Sequence, residues 1–310
     1  KLMKFTHSIM FHHFHDDKHP PAQGSLRAKD FEKILDWLID RYNLMGAKDY
    51  LKKFEQSEVA SNDICLSFDD ALLCQYDIAV PILNKRKIDA FFFVYSSVFE
   101  GKPDDFEIFR YFRNNCFENI DEFYEEFFKI INIKYGDFLL QYLQEYKKLN
   151  YLSSFPYYTE NDKWFRFLRD EVLGRNRYTD IMTEMMTKSK FNSNAVLADL
   201  WMSEDNIRDI AAHGHTIGLH SFSHPTKISN LDREKQQQEY QKNYTHLSAI
   251  VGDIVSMSHP CGDYNNDTLK ILDDLGIRIG FRDNLSTTII KGKFEVPRDD
   301  AVMILKEMNR

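Results

Sequence analysis

Short apolar runs alternate with helix-like patterns in the first hundred residues of this chain, and this alternation constrains the fold most. Buried strands are predicted at residues 5–11, 64–68 and 90–95. Apolar residues with helical spacing lie between them, at residues 28–41 and near 72–86, where Pro81 interrupts the pattern. This β-α-β-α-β order indicates a parallel sheet with helices on its outside.

The alternation resumes in the C-terminal third of the chain. A helix is predicted from Ser203, as its N-cap, through Ala212. Further helices are predicted at residues 231–251 and 266–275, the second one closed by Gly276. Strands are predicted at residues 216–219, 254–258, 277–281 and 286–290, followed by a final segment at 294–304. Residues 1–100 and 201–310 are therefore predicted to form one α/β unit.

The hundred residues between these parts have a different pattern. They are rich in Phe and Tyr, contain no convincing strand, and have helical patterns at residues 117–131, 136–149, 162–173 and 179–188. We predict an inserted helical subdomain or cap over residues 101–200. Its aromatic residues form either its own core or a wall that faces a substrate.

Charge and composition exclude several classes of protein. The net charge is −8 and no cluster of Lys and Arg occurs, so binding to a nucleic-acid backbone has little electrostatic support. No run approaches the roughly 18 apolar residues that a membrane span needs. The four cysteines are scattered without a CxxC pair. Together with the absence of a signal-peptide pattern, they favour reduced thiols and a cytoplasmic protein.

Two polar segments follow predicted strands and carry the chemistry. Asp69 and Asp70 come directly after one strand, and His220 and His224 follow the strand at 216–219. Parallel sheets place their sites at these strand ends. One Asp and two His suit zinc or a similar divalent ion and leave positions open for water, while the other Asp can act as a base. The alternative for the Asp pair is a solvated turn or a helix N-cap. Two further histidines, His213 and His215, are predicted to lie in a surface turn.

Both segments resemble motifs of one enzyme family. Segment 64–71 resembles the first motif of the polysaccharide deacetylases (NodB-homology enzymes, carbohydrate esterase family four), which reads T/S-F-D-D-G/A. Segment 213–225 resembles their second motif, H-S/T-x-x-H, with its Gly-His-Thr-Ile-Gly lead-in. The resemblance covers residues 4–100 and 201–300, so the helical insert lies outside it.

The resemblance implies a fold and a set of roles. The fold is α/β, a distorted (β/α)7-type barrel with the site at the carboxyl ends of the strands. Asp69 corresponds to the general base of the family. Asp70, His220 and His224 correspond to the metal ligands, with Zn²⁺ the most expected ion and Co²⁺, Ni²⁺, Mn²⁺ or Fe²⁺ as alternatives.

The third family motif, Arg-x-Pro-x-Gly, matches this chain only in part. Pro260 and Gly262 fit, but Ser258 stands where the arginine belongs. That arginine positions the base, and Arg298 is the candidate to replace it; the alternative for Arg298 is a charge at a strand end. In the family, the backbone N–H at the position of Cys261 faces the oxyanion.

The general acid must come from a different place than in most family members. The fifth motif, Leu-x-His, is absent, because no histidine follows His259. A subgroup that acts on surface polysaccharides begins with a strand ending in Tyr-His, and residues 9–13 resemble that segment. His12 is therefore the first candidate for the acid and His13 the second. The alternative is a buried structural histidine near the barrel mouth.

These assignments imply a metal-dependent deacetylase. The expected substrate is an acetylated amino sugar in a glycan, a glycan precursor or a nucleotide sugar, as in the biosynthesis of cell-surface polysaccharides. One alternative is another C–N amide hydrolase of the same fold, such as a deformylase or a cyclic-amide hydrolase. Another is a catalytically silent relative that binds glycans. The missing arginine and histidine favour the silent relative, whereas the intact Asp and His pairs argue against it.

Overall fold

The computed structural model describes residues 7–153, 158–283 and 289–309. The chain divides into two compact units. The first consists of Lys1–Asp104 and Val196–Arg310, and the second of Asp105–Ala195. The sequence prediction places the corresponding boundaries at residues 100/101 and 200/201.

The first unit is a parallel β-barrel. Its strands are β1 (Ser8–Phe11), β2 (Asn43–Leu44), β3 (Asp63–Asp69), β4 (Phe91–Val94), β5 (Thr216–Leu219), β6 (Ser256–Ser258), β7 (Ile279–Asp283) and β8 (Val296–Asp300). The order β1-β8-β7-β6-β5-β4-β3 is closed by a parallel pairing of β1 with β3, in which Ile9 is opposite Leu66. The two-residue β2 adds to the side of β3. This arrangement confirms the predicted α/β fold, a distorted seven-stranded barrel with surrounding helices.

Both units contain helices. They are α1 (Ala28–Arg41), α2 (Ala47–Glu55), α3 (Val80–Arg86), α4 (Asp105–Asn115), α5 (Ile120–Lys148), α6 (Glu160–Phe167), α7 (Gly174–Lys188), α8 (Leu197–Leu200), α9 (Glu204–Ala212), α10 (Arg233–Val251), α11 (Asn266–Asp274) and α12 (Ala301–Met308). Ser203 caps α9 as predicted, since its side chain accepts a hydrogen bond from the Asn206 N–H. Among the described residues, no helix combines the length and hydropathy that crossing a membrane requires.

The interior of the barrel is apolar at one end and polar at the other. Alternate residues of a strand face the same side, so Cys65, Ser67 and Asp69 of β3 all point inward. At the amino end of the strands, α2 closes the interior with a buried cluster that includes Tyr50, Cys65, Phe91, Phe93, Ile279 and Phe281. Space there is tight: a Cβ on Gly218 would lie 2.5 Å from Ser256 Oγ. The buried side chains of Asp69, His220 and Arg298 lie toward the carboxyl end.

The second unit is helical and has its own aromatic core. It contains α4 to α7, and α5 bends at Tyr135, whose φ of −138° is not helical. The buried cluster of this unit includes Phe109, Phe112, Phe123, Tyr124, Phe127, Phe165 and Tyr178. These rings pack edge-to-face or tilted, as in the pair Phe127–Phe165 with centroids 4.9 Å apart. The two roles predicted for these aromatic residues are a core of the insert and a wall that faces a substrate. The contacts are those of a core.

Some expectations from the sequence are wrong or untested. Three elements, β2, α2 and α4, were not predicted from the sequence. The predicted surface turn is wrong for His215, which is buried, accepts from the Ala90 N–H through Nδ1 and pairs with Asn84 Oδ1 through Nε2. Of the strand predicted at 286–290, residues 286–288 lie outside the described residues, and residues 289–290 are not strand. The first two residues of the strand predicted at 5–11 also lie outside them.

Candidate active site

The end of β3 places two carboxylates at the polar mouth of the barrel. Asp69 is the last residue of the strand and its side chain is buried. Asp70 has φ +78° and Ala71 φ +54°, a left-handed backbone that non-glycine residues seldom adopt. An extended chain would turn adjacent side chains to opposite sides. The left-handed turn instead keeps both carboxylates near His12, whose Nε2 is 3.9 Å from Asp69 Oδ2 and 4.0 Å from Asp70 Oδ2.

The loop after β5 carries the two histidines and is held from α10. Asn243 accepts a hydrogen bond from the His220 N–H at 3.0 Å and donates to the Val94 carbonyl at 3.0 Å. Glu239 Oε2 accepts from the backbone N–H groups of Phe222 and Ser223, and its Oε1 accepts from Ser223 Oγ. This buried amide and this carboxylate fix the loop. The sequence reading did not identify either residue, although both lie on the polar pattern of a long helix.

Asp70, His220 and His224 offer three donor atoms that lie within 4.8 Å of one another. Asp70 Oδ1 is 3.3 Å from Nε2 of His220 and 3.4 Å from Nε2 of His224. This oxygen is buried and makes no hydrogen bond to any described residue. A buried carboxylate oxygen facing two imidazole nitrogens is the donor set that a divalent transition-metal ion takes in proteins. The three residues therefore fit such an ion.

The pKa of Asp70 is held far below its usual range. Burial alone would raise it, but the positive charges of His224, His220 and His12 outweigh that effect. The carboxylate is therefore ionised at neutral pH. An ionised oxygen without a hydrogen-bond donor is costly in a buried place, and a cation would satisfy it.

Both histidines are held through the ring nitrogen that faces away from Asp70. His220 Nδ1 is 3.0 Å from the Ser258 carbonyl oxygen and 2.8 Å from Ser258 Oγ. His224 Nδ1 is 3.0 Å from Asp104 Oδ2. Such partners fix the orientation of metal-binding rings. Ser258, which stands where the family has an arginine, thus contacts one of the histidines.

Arg298 binds Asp69 through both of its terminal nitrogens. Nη1 donates to Asp69 Oδ1 at 2.8 Å and Nη2 to Oδ2 at 2.7 Å. The two side chains are 1% and 3% exposed. Ser258 Oγ adds a bond to Asp69 Oδ1 at 3.3 Å, and Asp283 Oδ1 lies 3.4 Å from Nη2. The guanidinium of β8 therefore lies beside Asp69, where Ser258 offers only a hydroxyl group.

This ion pair sets the protonation state of Asp69. Burial raises the pKa of the carboxyl group, but the charge and hydrogen bonds of Arg298, together with the charge of His220, lower it further than burial raises it. The resulting pKa lies below the usual value. Asp69 is consequently an ionised acceptor at neutral pH.

His12 is partly buried and lies beside the two carboxylates. Burial lowers the pKa of His12, but the charges of Asp70, Asp69 and Asp300 raise it more, so this pKa lies above its ordinary value. Gln75 fixes the backbone here, since its Nε2 donates to the carbonyl oxygens of His12, at 2.9 Å, and Asp69, at 2.7 Å. Gln75 begins a π-helical turn, Gln75–Ala79, and such turns are frequent at functional sites. Nothing in the sequence pattern indicated it.

The remaining candidates lie around this centre. The ring of His13 is stacked beside that of His12 with centroids 6.3 Å apart. Pro260 and Cys261 lie in the short turn Pro260–Gly262, which is separated from the end of β6 at Ser258 by one residue. Cys261 has φ +53° and an exposed side chain. The turn thus begins two residues after Ser258, which contacts both Asp69 and His220.

Comparison with known proteins gives one family and several similar folds. A family model described as polysaccharide deacetylase matches residues 174–280, which include both histidines and the turn after β6. No curated protein matches the chain.

Three solved structures share the fold. They are the deacetylase PplD of Streptococcus pyogenes in complex with acetate (13% identity, TM-score 0.57, covering 96% of this chain and 92% of that one), a de-N-acetylase from Aggregatibacter actinomycetemcomitans (12%, 0.54, 94% and 93%) and IcaB from Ammonifex degensii (14%, 0.51, 90% and 84%). At these identities the similarity establishes the fold. With the family match over residues 174–280 and the two motifs at the mouth of this barrel, the chain is similar to the polysaccharide deacetylases of NodB homology.

Proposed function

We propose that this protein is a metal-dependent N-deacetylase that hydrolyses the N-acetyl group of an amino sugar in a glycan or a glycan precursor. One observation carries the proposal. A donor set of Asp70, His220 and His224 lies next to the Asp69 carboxylate, which pairs with Arg298, and to His12, whose pKa is raised. These are the groups that water attack on an amide and departure of an amine require.

Each residue of the site has a role that follows from its charge or its protonation state. A divalent cation held by Asp70, His220 and His224 would polarise the acetyl carbonyl and lower the pKa of a water molecule to about 7. Asp69 accepts the proton of the attacking water, and Arg298 keeps its carboxylate ionised and oriented. The C–N bond then breaks, and acetate and the free amino sugar leave.

The acid and the oxyanion donor complete the proposal. His12 holds a proton next to the reacting groups and gives it to the departing nitrogen, because an amide anion is a poor leaving group. From the resemblance, the backbone N–H of Cys261 stabilises the developing oxyanion, and such a donor contributes about 3–4 kcal/mol in acyl transfer. We propose Zn²⁺ as the ion, since one carboxylate and two imidazoles suit it.

Removal and return of the metal tests this function. The protein loaded with Zn²⁺ is expected to release acetate from N-acetylglucosamine oligomers or from a nucleotide-linked N-acetyl amino sugar. Dialysis against a chelator should abolish the release, and one equivalent of Zn²⁺ or Co²⁺ should restore it. Acetate is measured by a coupled enzymatic assay and free amine by fluorescamine labelling.

Two other outcomes of this experiment decide between the alternatives. Release of formate, or opening of a cyclic amide without acetate, would assign the protein to another class of amide hydrolase. Binding of the oligomers without release of either product, with metal bound, would show a silent glycan-binding relative. The missing arginine of the third motif is one argument for a silent relative. The Arg298–Asp69 pair weakens that argument, because Arg298 provides a positive charge beside the proposed base.

Replacing His12 by glutamine should lower the turnover number by about 10²–10⁴-fold, the range for a general acid, and leave the metal content unchanged. The acid works only while protonated, so the rate of the wild type falls as pH rises through the pKa of His12. Because that pKa is raised, the fall is expected above the ordinary value of 6.5. The pH profile of the turnover number checks this, since the basic limb should disappear in His12→Gln.

His13→Gln is the matched comparison, because the two residues are adjacent and their rings are stacked. It should keep the basic limb. If His13→Gln loses the limb and His12→Gln keeps it, the acid is His13. If both variants keep it, the proton comes from another group.

A further inference from the structure

We propose that Asp104 is a positioning residue of the metal site: it fixes the tautomer and ring orientation of His224. This inference rests on the metal centre of the proposed function. Asp104 Oδ2 lies 3.0 Å from His224 Nδ1. The side chains of His224 and Asp104 are 12% and 8% exposed, so the pair is largely removed from water.

The contact determines which nitrogen of His224 is available to a metal ion. A neutral imidazole has one N–H donor and one acceptor nitrogen. The carboxylate of Asp104 can only accept, so the proton resides on Nδ1. The lone pair then resides on Nε2, the nitrogen 3.4 Å from Asp70 Oδ1. Without Asp104, the two tautomers would compete, and one of them directs an N–H at the site.

The two histidines have different partners. His220 is bonded by neutral groups, the carbonyl and hydroxyl of Ser258. His224 contacts a carboxylate, and a hydrogen bond to an ionised group is stronger than one to a neutral group. A carboxylate partner also makes the imidazole a more basic ligand. Asp104 therefore acts on affinity as well as on orientation.

The backbone of His224 is strained, and its ring has a second neighbour in Tyr95. The φ of His224 is +56°, in the left-handed region. Its N–H donates to Ser221 Oγ, and Ser221 itself has φ +60°. The ring of Tyr95 contacts the His224 ring with centroids 5.3 Å apart, and the Tyr95 hydroxyl accepts from the Asp104 N–H at 3.3 Å. Tyr95 thus links the positioning carboxylate to the ligand ring.

The sequence did not indicate Asp104 as a site residue. It lies in the stretch predicted as insert, outside the resemblance, and directly precedes the first residue of α4. An Asp before a helix is ordinarily explained as an N-cap. Its side-chain Oδ2 lies 3.0 Å from Nδ1 of a histidine 120 positions later in the chain.

The test compares Zn²⁺ affinity in three variants. Asp104→Asn and Asp104→Ser both keep an oxygen that can cap α4, but the first removes the charge and the second also shortens the reach. We expect Zn²⁺ to bind about 10–100-fold more weakly in both, the usual effect of losing such a partner. Asp105→Asn, the exposed neighbour at the start of α4, should bind like the wild type. Competition with a chromogenic chelator measures the affinities, and thermal melting of the metal-free proteins verifies folding.

A double-mutant cycle separates positioning from a general structural role. In a His224→Ala background, Asp104→Asn should cause no further loss of Zn²⁺ affinity, whereas in a His220→Ala background it should still weaken binding. Equal effects in both backgrounds would overturn the inference.

Two failures are distinguishable. Wild-type affinity in both Asp104 variants would overturn the inference and leave the metal site standing. A wild-type protein that binds no Zn²⁺ would overturn the proposed function and this inference together.

Discussion

Asp69→Asn should bind its metal as the wild type does and release acetate about 10²–10⁴-fold more slowly, the range for loss of a general base. The substitution is nearly isosteric and keeps an acceptor oxygen for Arg298. It removes the ability to take a proton from water, and it also removes the charge that pairs with Arg298, so the variant should be less stable than the wild type. Metal content by atomic absorption and the turnover number, measured on the same sample, check both halves of the result.

The matched control is Asp63→Asn. Asp63 is also buried and lies at the opposite end of the same strand, where Asn43, Lys53 and the Ala60 N–H bind its carboxylate. It should turn over at the wild-type rate at temperatures where it is folded. Equal loss in both variants would attribute the effect to the stability of β3, and undiminished turnover in Asp69→Asn would show that the base is another group.

Arg298→Met should impair both stability and the protonation state of the base. It leaves the Asp69 carboxylate buried without its bidentate partner, and breaking a buried ion pair in this way costs about 3–5 kcal/mol. The pKa of Asp69 should also rise, because burial raises it and Arg298 is the first of the groups that lower it. The base works only above its pKa, so the acidic limb of kcat/KM should move to higher pH. Urea unfolding and the pH profile measure the two effects.

Arg298→Lys is the informative companion. It keeps a positive charge but cannot bind both oxygens of Asp69 in the planar geometry of a guanidinium. Its acidic limb should lie between those of the wild type and Arg298→Met. If Arg298→Met keeps the wild-type limb, the arginine does not control the base, and its contribution is confined to stability.

The barrel could be predicted from the sequence because its signals are local. The apolar runs that become β3, β4 and β5 are each contained in a few residues, and strands buried on both faces have such runs. The cap at Ser203 is equally local. The two-residue β2 and the short α2 carry too little periodicity to be seen. The burial of His215 depends on Ala90 and Asn84, which are distant in sequence.

The site was predictable only where a motif marks it. Asp69, Asp70, His220 and His224 stand in two short segments with characteristic spacing. Arg298 was a candidate, but its bond to Asp69 joins residues 229 positions apart, and only the closed barrel brings them together. Gln75 and Asp104 were missed, because one binds backbone carbonyls and the other lies outside the resemblance.

The left-handed backbone positions have a consequence for how this protein tolerates change. Of the nine non-glycine residues with positive φ in the described chain, five lie in the loops of the site: Asp70, Ala71, Ser221, His224 and Cys261. Each such conformation costs of the order of 1–3 kcal/mol, which the rest of the barrel must offset. Packing at the apolar end of the barrel therefore supplies the stability that keeps these loops in their strained conformations. A core substitution that lowers this stability should free the loops first, so the metal should be lost before the barrel unfolds.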